Sequence, residues 1–232
     1  MRITVLTLFP DYFLSPLQSS ILARAQAKGL VEVKIVNIRD YAVDKHQVTD
    51  DRPYGGGPGM VMLVEPIDRA LIAILDASPS SAGKTTQRKI ILTSAKGRAF
   101  DQKVARAYSQ LDELVIICGH YEGVDERVAD YLIDEEIRIG DYVLTGGEPA
   151  ASVILDATVR LLAGVLGNDQ STADESHTQP GVLGFPQYSQ PREYKGWTVP
   201  SELLTGNHSK IAAWRASHKQ VIQPEPETAP EQ

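Results

Sequence analysis

Three glycine-centred stretches hold the residues best placed to do chemistry. The segment RPYGGGPGMVM (52–62) packs four glycines and two prolines into eleven residues. Two others, CGHYEGVDERV (118–128) and IGDYVLTGGEPAA (139–151), set glycine beside tyrosine and a carboxylate, and each joins an apolar, strand-like run to a helix-like one. Glycine lets a ligand approach the backbone with no Cβ in the way but is entropically costly to order, so such loops are tolerated where shape matters. Backbone amides and carbonyls freed in these turns can read the edge of a purine, and an acidic side chain can neutralise a cationic ligand. Together they outline a nucleoside pocket. Taken singly, Glu122, Asp125 and Asp141 read as helix caps or exposed carboxylates.

Two phosphate-binding motifs are tempting and fail. In SAGKT (81–85) the first glycine of a P-loop would fall at Ser78, and the segment follows a helix and precedes a strand, the reverse of what the motif requires. Counting G-x-G-x-x-G from Gly55 puts Met60 where the third glycine belongs, and no clear strand leads in. A nucleotide-dependent oxidoreductase on a conventional dinucleotide sheet therefore rests on strand-helix alternation alone.

The elements that must position these loops are readable from periodicity. ITVLTLF (3–9), VEVKIVNI (31–38), KIILTS (89–94) and LVIICG (114–119) are short apolar or β-branched runs closed by turns, and predict buried strands. Between them, residues 15–29, 65–77 and 101–111 space apolar side chains at three and four, as does 148–164 with Pro149 near its start and Gly164 at its end. Alternation of this kind predicts an α/β domain whose mainly parallel sheet carries helices on both faces, with ligands at the carboxyl ends of the strands. Beyond it, 167–191 is polar and rich in Gly, Pro and Ser, suiting a linker into a small, mostly helical unit with helices at 200–204 and 209–218. The expected division is 1–164, a flexible linker at 165–180, the small unit at 181–220, and a disordered tail at 221–232 that has almost nothing to bury.

Composition sets limits. The 232 residues are 42% hydrophobic, enough for one substantial core plus an appendage. No apolar run approaches the roughly 20 residues of a bilayer span, which predicts a cytoplasmic protein. Cys118 is the single cysteine and reads as buried filler. Net charge is −7, with all of the excess negative charge before residue 181, so a polyanionic partner must use local basic patches.

DDRPYGGGPGMVM, CGHYEGVDERV, EIRIGDYVLTGGEPAA, DATVRLLAGVLGN and VPSELLTGNHSKIAAWR resemble, in order and spacing, the bacterial tRNA (guanine-N1)-methyltransferases of the SPOUT superfamily, up to about His218. The resemblance implies an S-adenosylmethionine-dependent homodimer that methylates N1 of guanine 37, next to the tRNA anticodon, with the cofactor held in a deep trefoil knot. For the cofactor it implies Leu92, Ser94 and Gly97; Gly119, Tyr121, Glu122 and Gly123; and Ile139, Gly140, Tyr142, Leu144, Gly146 and Gly147. Guanine N1 carries a proton at neutral pH, so attack on a sulfonium methyl needs a general base and a cation near O6. Arg160 matches the family's arginine, and the acidic linker position falls at Glu175, where the family more often has Asp; Asp174 precedes it, and the base is one of the two. For tRNA the candidates are Asp50, Arg52 and Gly57 of the glycine loop, with Lys195, Lys210 and Arg215 as phosphate contacts. Whether Mg²⁺ takes part is left open. Relatives continue past the WR helix with a basic helical stretch, whereas this chain runs into an acidic, Pro-rich segment. That departure and Glu175 motivate the alternative of a catalytically weak cofactor- or RNA-binding relative.

Overall fold

The computed structural model describes residues 1–77, 86–167 and 175–222. The chain divides into two compact units, Met1–Gly167 and Asn168–Gln232. The SAGKT segment, residues 168–174 of the expected linker with Asp174 among them, and residues 223–232 of the expected tail lie outside the described residues.

The first unit runs β1 (Arg2–Thr7), α1 (Leu14–Leu17), α2 (Ser20–Ala27), β2 (Glu32–Asn37), the two-residue strands β3 (Asp50–Asp51) and β4 (Val61–Met62), α3 (Val64–Ala77), β5 (Arg88–Ala99), α4 (Gln102–Tyr108), β6 (Glu113–Cys118), α5 (Glu126–Tyr131), β7 (Glu135–Arg138) and α6 (Glu148–Val159). Five strands form one sheet in the order β2-β1-β6-β5-β7, every neighbouring pair parallel. A parallel strand covered on both faces must be apolar at successive positions. Accordingly β6, ELVIIC, is buried at all six of its residues. Its alternate side chains feed two cores. Leu114, Ile116 and Cys118 pack with Leu22 of α2, Val104 and Tyr108 of α4, and Ile154, Leu155 and Val159 of α6. Val115 and Ile117 pack with Ile67, Leu71 and Ile74 of α3 and Val128 of α5.

Two helices depart from the periodicity reading. The segment 15–29 is broken, because Gln18 and Ser19 close back on the carbonyls of Leu14, Ser15 and Pro16, and Ser20 takes a left-handed φ of 49°. Helix α6 stops at Val159, and single turns carry the chain on to Gly164, whose φ is 77°.

In the second unit, β8 (Val182–Leu183), β9 (Glu193–Tyr194), β10 (Trp197–Thr198), a 3-10 turn at Ser201–Leu204, α7 (His208–Ser217) and β11 (Gln220–Val221) follow in order. Antiparallel pairs join β9 to β10 and β8 to β11. The hairpin β9–β10 turns through Lys195 and Gly196, at φ 53° and 83°, the left-handed pair that a tight two-residue hairpin loop requires. Asn207 caps α7, its side chain accepting from the Lys210 amide at 3.1 Å. The described part of this unit thus carries strand pairs beside its helix; two-residue strands leave no periodic signature from which they could be expected. No helix among the described residues is long and apolar enough to cross a membrane.

Candidate functional site

A cavity of about 450 Å³ opens at the carboxyl ends of β5, β6 and β7, where a parallel sheet places ligands. Three loops wall it: residues 92–96, 119–124 and 139–147. Its size falls in the range of small-molecule sites. Every residue carried over for the cofactor lines it except Gly97.

Pairing between β5 and β7 explains the first loop and the exception. Thr93 and Arg98 both register against Ile137, so the intervening residues leave the ladder and open into the cavity. Gly97 lies behind this excursion, where a Cβ would run into the backbone of Glu136 and Ile137. The Arg138 guanidinium ties the crossing together, donating to the Gly97 carbonyl at 2.6 Å and to Asp141 Oδ1 at 2.8 Å.

The second and third loops meet beside Thr93. Its Oγ1 donates to the Ile117 carbonyl at 3.2 Å and accepts from the Gly119 amide at 3.4 Å. The Gly147 amide donates to the Gly119 carbonyl at 2.7 Å. Any Cβ on Gly147 would overlap Thr93 Oγ1, and one on Gly146 would overlap the His120 ring and the Glu148 carboxylate. These glycines are thus demanded by contact between loops.

The glycine loop at 52–62 is fastened to the second loop along its trailing end. Glu122 donates its amide to the Met60 carbonyl (3.0 Å), Met62 to Gly123 (2.9 Å) and Asp125 to Met62 (3.0 Å). Gly59 answers to both conformation and space, with φ 78° and a Cβ that would meet the Glu122 side chain. Gly55, Gly56 and Gly57 have open space around them and φ of 86°, 79° and 127°, so there glycine serves the backbone conformation. Asp50 is paired in β3 opposite Met62, and Arg52 is exposed.

Charge around the cavity is mixed. Lys96 Nζ pairs with Glu126 at 2.5 Å and lies 3.8 Å from Glu136, and the Glu126 hydrogen bond raises the ammonium pKa. Asp125 caps α5 by accepting from the Arg127 amide at 3.0 Å, and the Arg127 side chain holds its carboxyl below the usual range. Beneath the third loop, Glu148 is only 4% exposed and accepts from Thr7 Oγ1 at 2.7 Å. It is the first residue of α6. His120, on the cavity wall, stands with Nδ1 3.9 Å from Glu148 Oε2 and its ring 4.8 Å from that of Phe9. Thr7, Thr93, His120 and Glu148 escape sequence reasoning, although a glutamate directly after Gly-Gly at a helix start was a usable signal. The arrangement can hold a nucleoside among backbone groups and present carboxylates to a cation. Among the described residues no cluster of three or more His, Cys, Asp and Glu side chains is set to hold a metal.

The remaining candidates are carried by other elements. Arg160 caps the C-terminus of α6, about 15 Å along the helix axis from Ala150, the last α6 residue on the cavity wall. Glu175 belongs to the second unit, where its carbonyl accepts from the Thr178 amide at 3.2 Å. Lys195 sits in the β9–β10 turn, and Lys210 and Arg215 are exposed on α7.

Comparison with known proteins agrees with this geometry. The family model described as tRNA (Guanine-1)-methyltransferase TrmD matches residues 1–224. Proteins named tRNA (guanine-N(1)-)-methyltransferase from Carboxydothermus hydrogenoformans and Geotalea uraniireducens are each 52% identical over 215 residues, 93% of this chain and 81% and 84% of theirs. One of the same name from Geobacter sp. strain M21 is 53% identical over 93% of this chain and 83% of its own. With residues 1–224 matched by the family model and about half of its residues shared with these relatives over 93% of its length, the chain belongs to the tRNA (guanine-1)-methyltransferase family.

Proposed function

We propose that this chain methylates N1 of guanine 37 in tRNA, using S-adenosylmethionine held in the cavity at the ends of β5, β6 and β7. The observation that carries the reading is that cavity, in a chain about half identical to tRNA (guanine-N1)-methyltransferases over 93% of its length. The residues present fit the cofactor. Glycine-edged backbone at 119–123 and 146–147 suits an adenosine face, and Glu122, Glu126 and Glu136 suit a cationic sulfonium and ammonium. Bound S-adenosylmethionine would supply an electrophilic methyl carbon.

The chain's own residues do the rest. Glu175 or Asp174 takes the N1 proton, leaving the N1 electron pair free to bond the methyl carbon as the carbon–sulfur bond breaks towards sulfur. Arg160 donates to O6 as negative charge gathers there, a contribution of the oxyanion-hole kind. Asp50, Arg52 and Gly57 on one unit and Lys195, Lys210 and Arg215 on the other contact the RNA. Because Arg160 stands a helix length from the cavity of its own chain, the site is completed in a homodimer by a second copy. The trefoil knot belongs to the same reading, supported by the close crossings at Gly97 and Gly147, and so does a cytoplasmic location.

Incubation with methyl-labelled S-adenosylmethionine should place label on a tRNA transcript. Glu175→Gln should slow transfer by about 10²- to 10⁴-fold if Glu175 is the base, and Asp174→Asn should do so if the neighbour is, each leaving cofactor affinity intact. A wild-type chain that binds the cofactor and labels no tRNA would overturn the proposal.

A further inference from the structure

The second unit contains a cavity of its own, about 400 Å³, of whose lining the methyl-transfer reading uses only Arg215. Three segments converge on it: residues 185–190 between β8 and β9, the turn Ser201–Leu204, and α7. Ile211 and Arg215 are four residues apart on α7 and so share one face, and Leu203 adds to the apolar floor. The Arg215 guanidinium lies 4.9 Å over the Phe185 ring. The Tyr188 ring is half exposed and stands edge-on to Trp214 at 6.2 Å. Arg192 completes the lining, and no carboxylate contributes to it.

Each feature narrows the ligand. An apolar floor with accessible aromatic rings suits a flat ring system, and two guanidiniums without a carboxylate select an anion. Residues 175–222 carry five Lys or Arg against three Asp or Glu, in a chain whose net charge is −7. Flat ring and anion together make a nucleotide. Single-stranded nucleic acid is held in this way, bases stacked on aromatic faces and phosphates on arginine.

We propose that this cavity is a nucleotide subsite for the RNA substrate, in which one unpaired base stacks on Tyr188 and Phe185 while its phosphate is held by Arg192 and Arg215. The proposal rests on the tRNA reading above and adds a base-stacking contact beside Lys195, Lys210 and Arg215, which that reading used for phosphate contacts.

The test uses the full chain, a fluorescently labelled tRNA transcript and a parallel calorimetric titration with S-adenosylmethionine. Tyr188→Leu keeps an apolar side chain against Trp214 and removes the stacking face. It should weaken tRNA binding by about 5- to 100-fold, the value of one base stack, with cofactor affinity unchanged and Tyr188→Phe close to wild type. Arg192→Ala should lower the slope of log affinity against log salt by about 0.7, one phosphate contact on a single strand. Wild-type tRNA affinity in both Tyr188→Leu and Arg192→Ala would overturn the subsite while leaving methyl transfer standing. Guanosine monophosphate binding that Tyr188→Leu abolishes, with tRNA affinity untouched, would reassign the cavity to a free nucleotide and overturn the RNA assignment. A wild-type chain with no tRNA affinity would overturn both readings at once.

Discussion

Alanine at position 147 isolates what the cavity demands of its backbone. Gly147 has φ −81° and ψ −8°, which any L-residue can adopt, so the penalty of Gly147→Ala is purely steric. The new Cβ would overlap Thr93 Oγ1 and stand 2.9 Å from Cys118 Cα and from the Gly119 amide nitrogen, both backbone atoms that cannot rotate aside. Overpacking of this kind costs about 1–3 kcal/mol. The 2.7 Å bond from the Gly147 amide to the Gly119 carbonyl is in the path of the relaxation, and its loss adds about 0.5–1.5 kcal/mol. A total of roughly 2–4 kcal/mol in a unit of this size corresponds to a fall in Tm of about 5–15 °C. Because the two loops being forced apart, at Gly119 and Gly147, both line the cavity, cofactor affinity should fall at least tenfold. Scanning calorimetry and a titration with S-adenosylmethionine read the two effects. Gly57→Ala is the contrast: φ is 127° with nothing within 4 Å, so its cost is confined to local strain and cofactor affinity should hold. A Gly147→Ala chain with wild-type Tm and cofactor affinity would refute the reasoning.

Three further outcomes are expected. Glu148→Ala strands the buried Thr7 hydroxyl, whose acceptor it is, and should cost about 1–3 kcal/mol in urea unfolding, whereas Glu148→Gln keeps an acceptor and should cost less; equal losses would contradict the role. Asp125 has a folded pKa depressed chiefly by the Arg127 side chain, so its stabilisation is complete above the unfolded value of about 3.9 and is lost as pH falls through the lower folded value. Asp125→Ala should therefore be less stable than wild type at neutral pH by the cap's contribution of about 0.5–2 kcal/mol, with the gap narrowing in acid; a gap independent of pH counts against the ion pair. Finally, if Arg160 serves the cavity of a second copy, mixing Arg160→Ala with Gly147→Ala, at a cofactor concentration too low to fill the Gly147→Ala cavity, should restore about a quarter of wild-type activity, a statistical share of mixed dimers carrying one intact site. No recovery on mixing refutes the shared site.

Much of the sheet was legible because β1, β2, β5 and β6 are continuous apolar or β-branched runs bounded by turns. Strand β7 hides because EEIR buries only Ile137 and is held by its register against β5. The break at Ser20 hides because the apolar spacing of residues 15–29 runs on through a point where the backbone does not. At the cavity, the sequence marks the glycine-tyrosine-carboxylate loops but not which glycines answer to contact and which to conformation. That distinction depends on partners distant in sequence: Gly147 against Thr93, Gly97 against Glu136. Glu148 escapes for the same reason, since a charged residue at a helix start reads as solvated until Thr7, 141 positions away, is found beneath it. Family resemblance supplied what neither periodicity nor spacing can: the reaction, the methyl donor, and the roles proposed for Arg160 and for Glu175 or Asp174.

The most direct test of the account is nucleoside analysis after methyl transfer to two tRNA transcripts that differ only at position 37, one with guanine and one with adenine. N1-methylguanosine is expected from the first transcript and none from the second. Equal labelling of both transcripts, or a methylated nucleoside other than N1-methylguanosine, would contradict it.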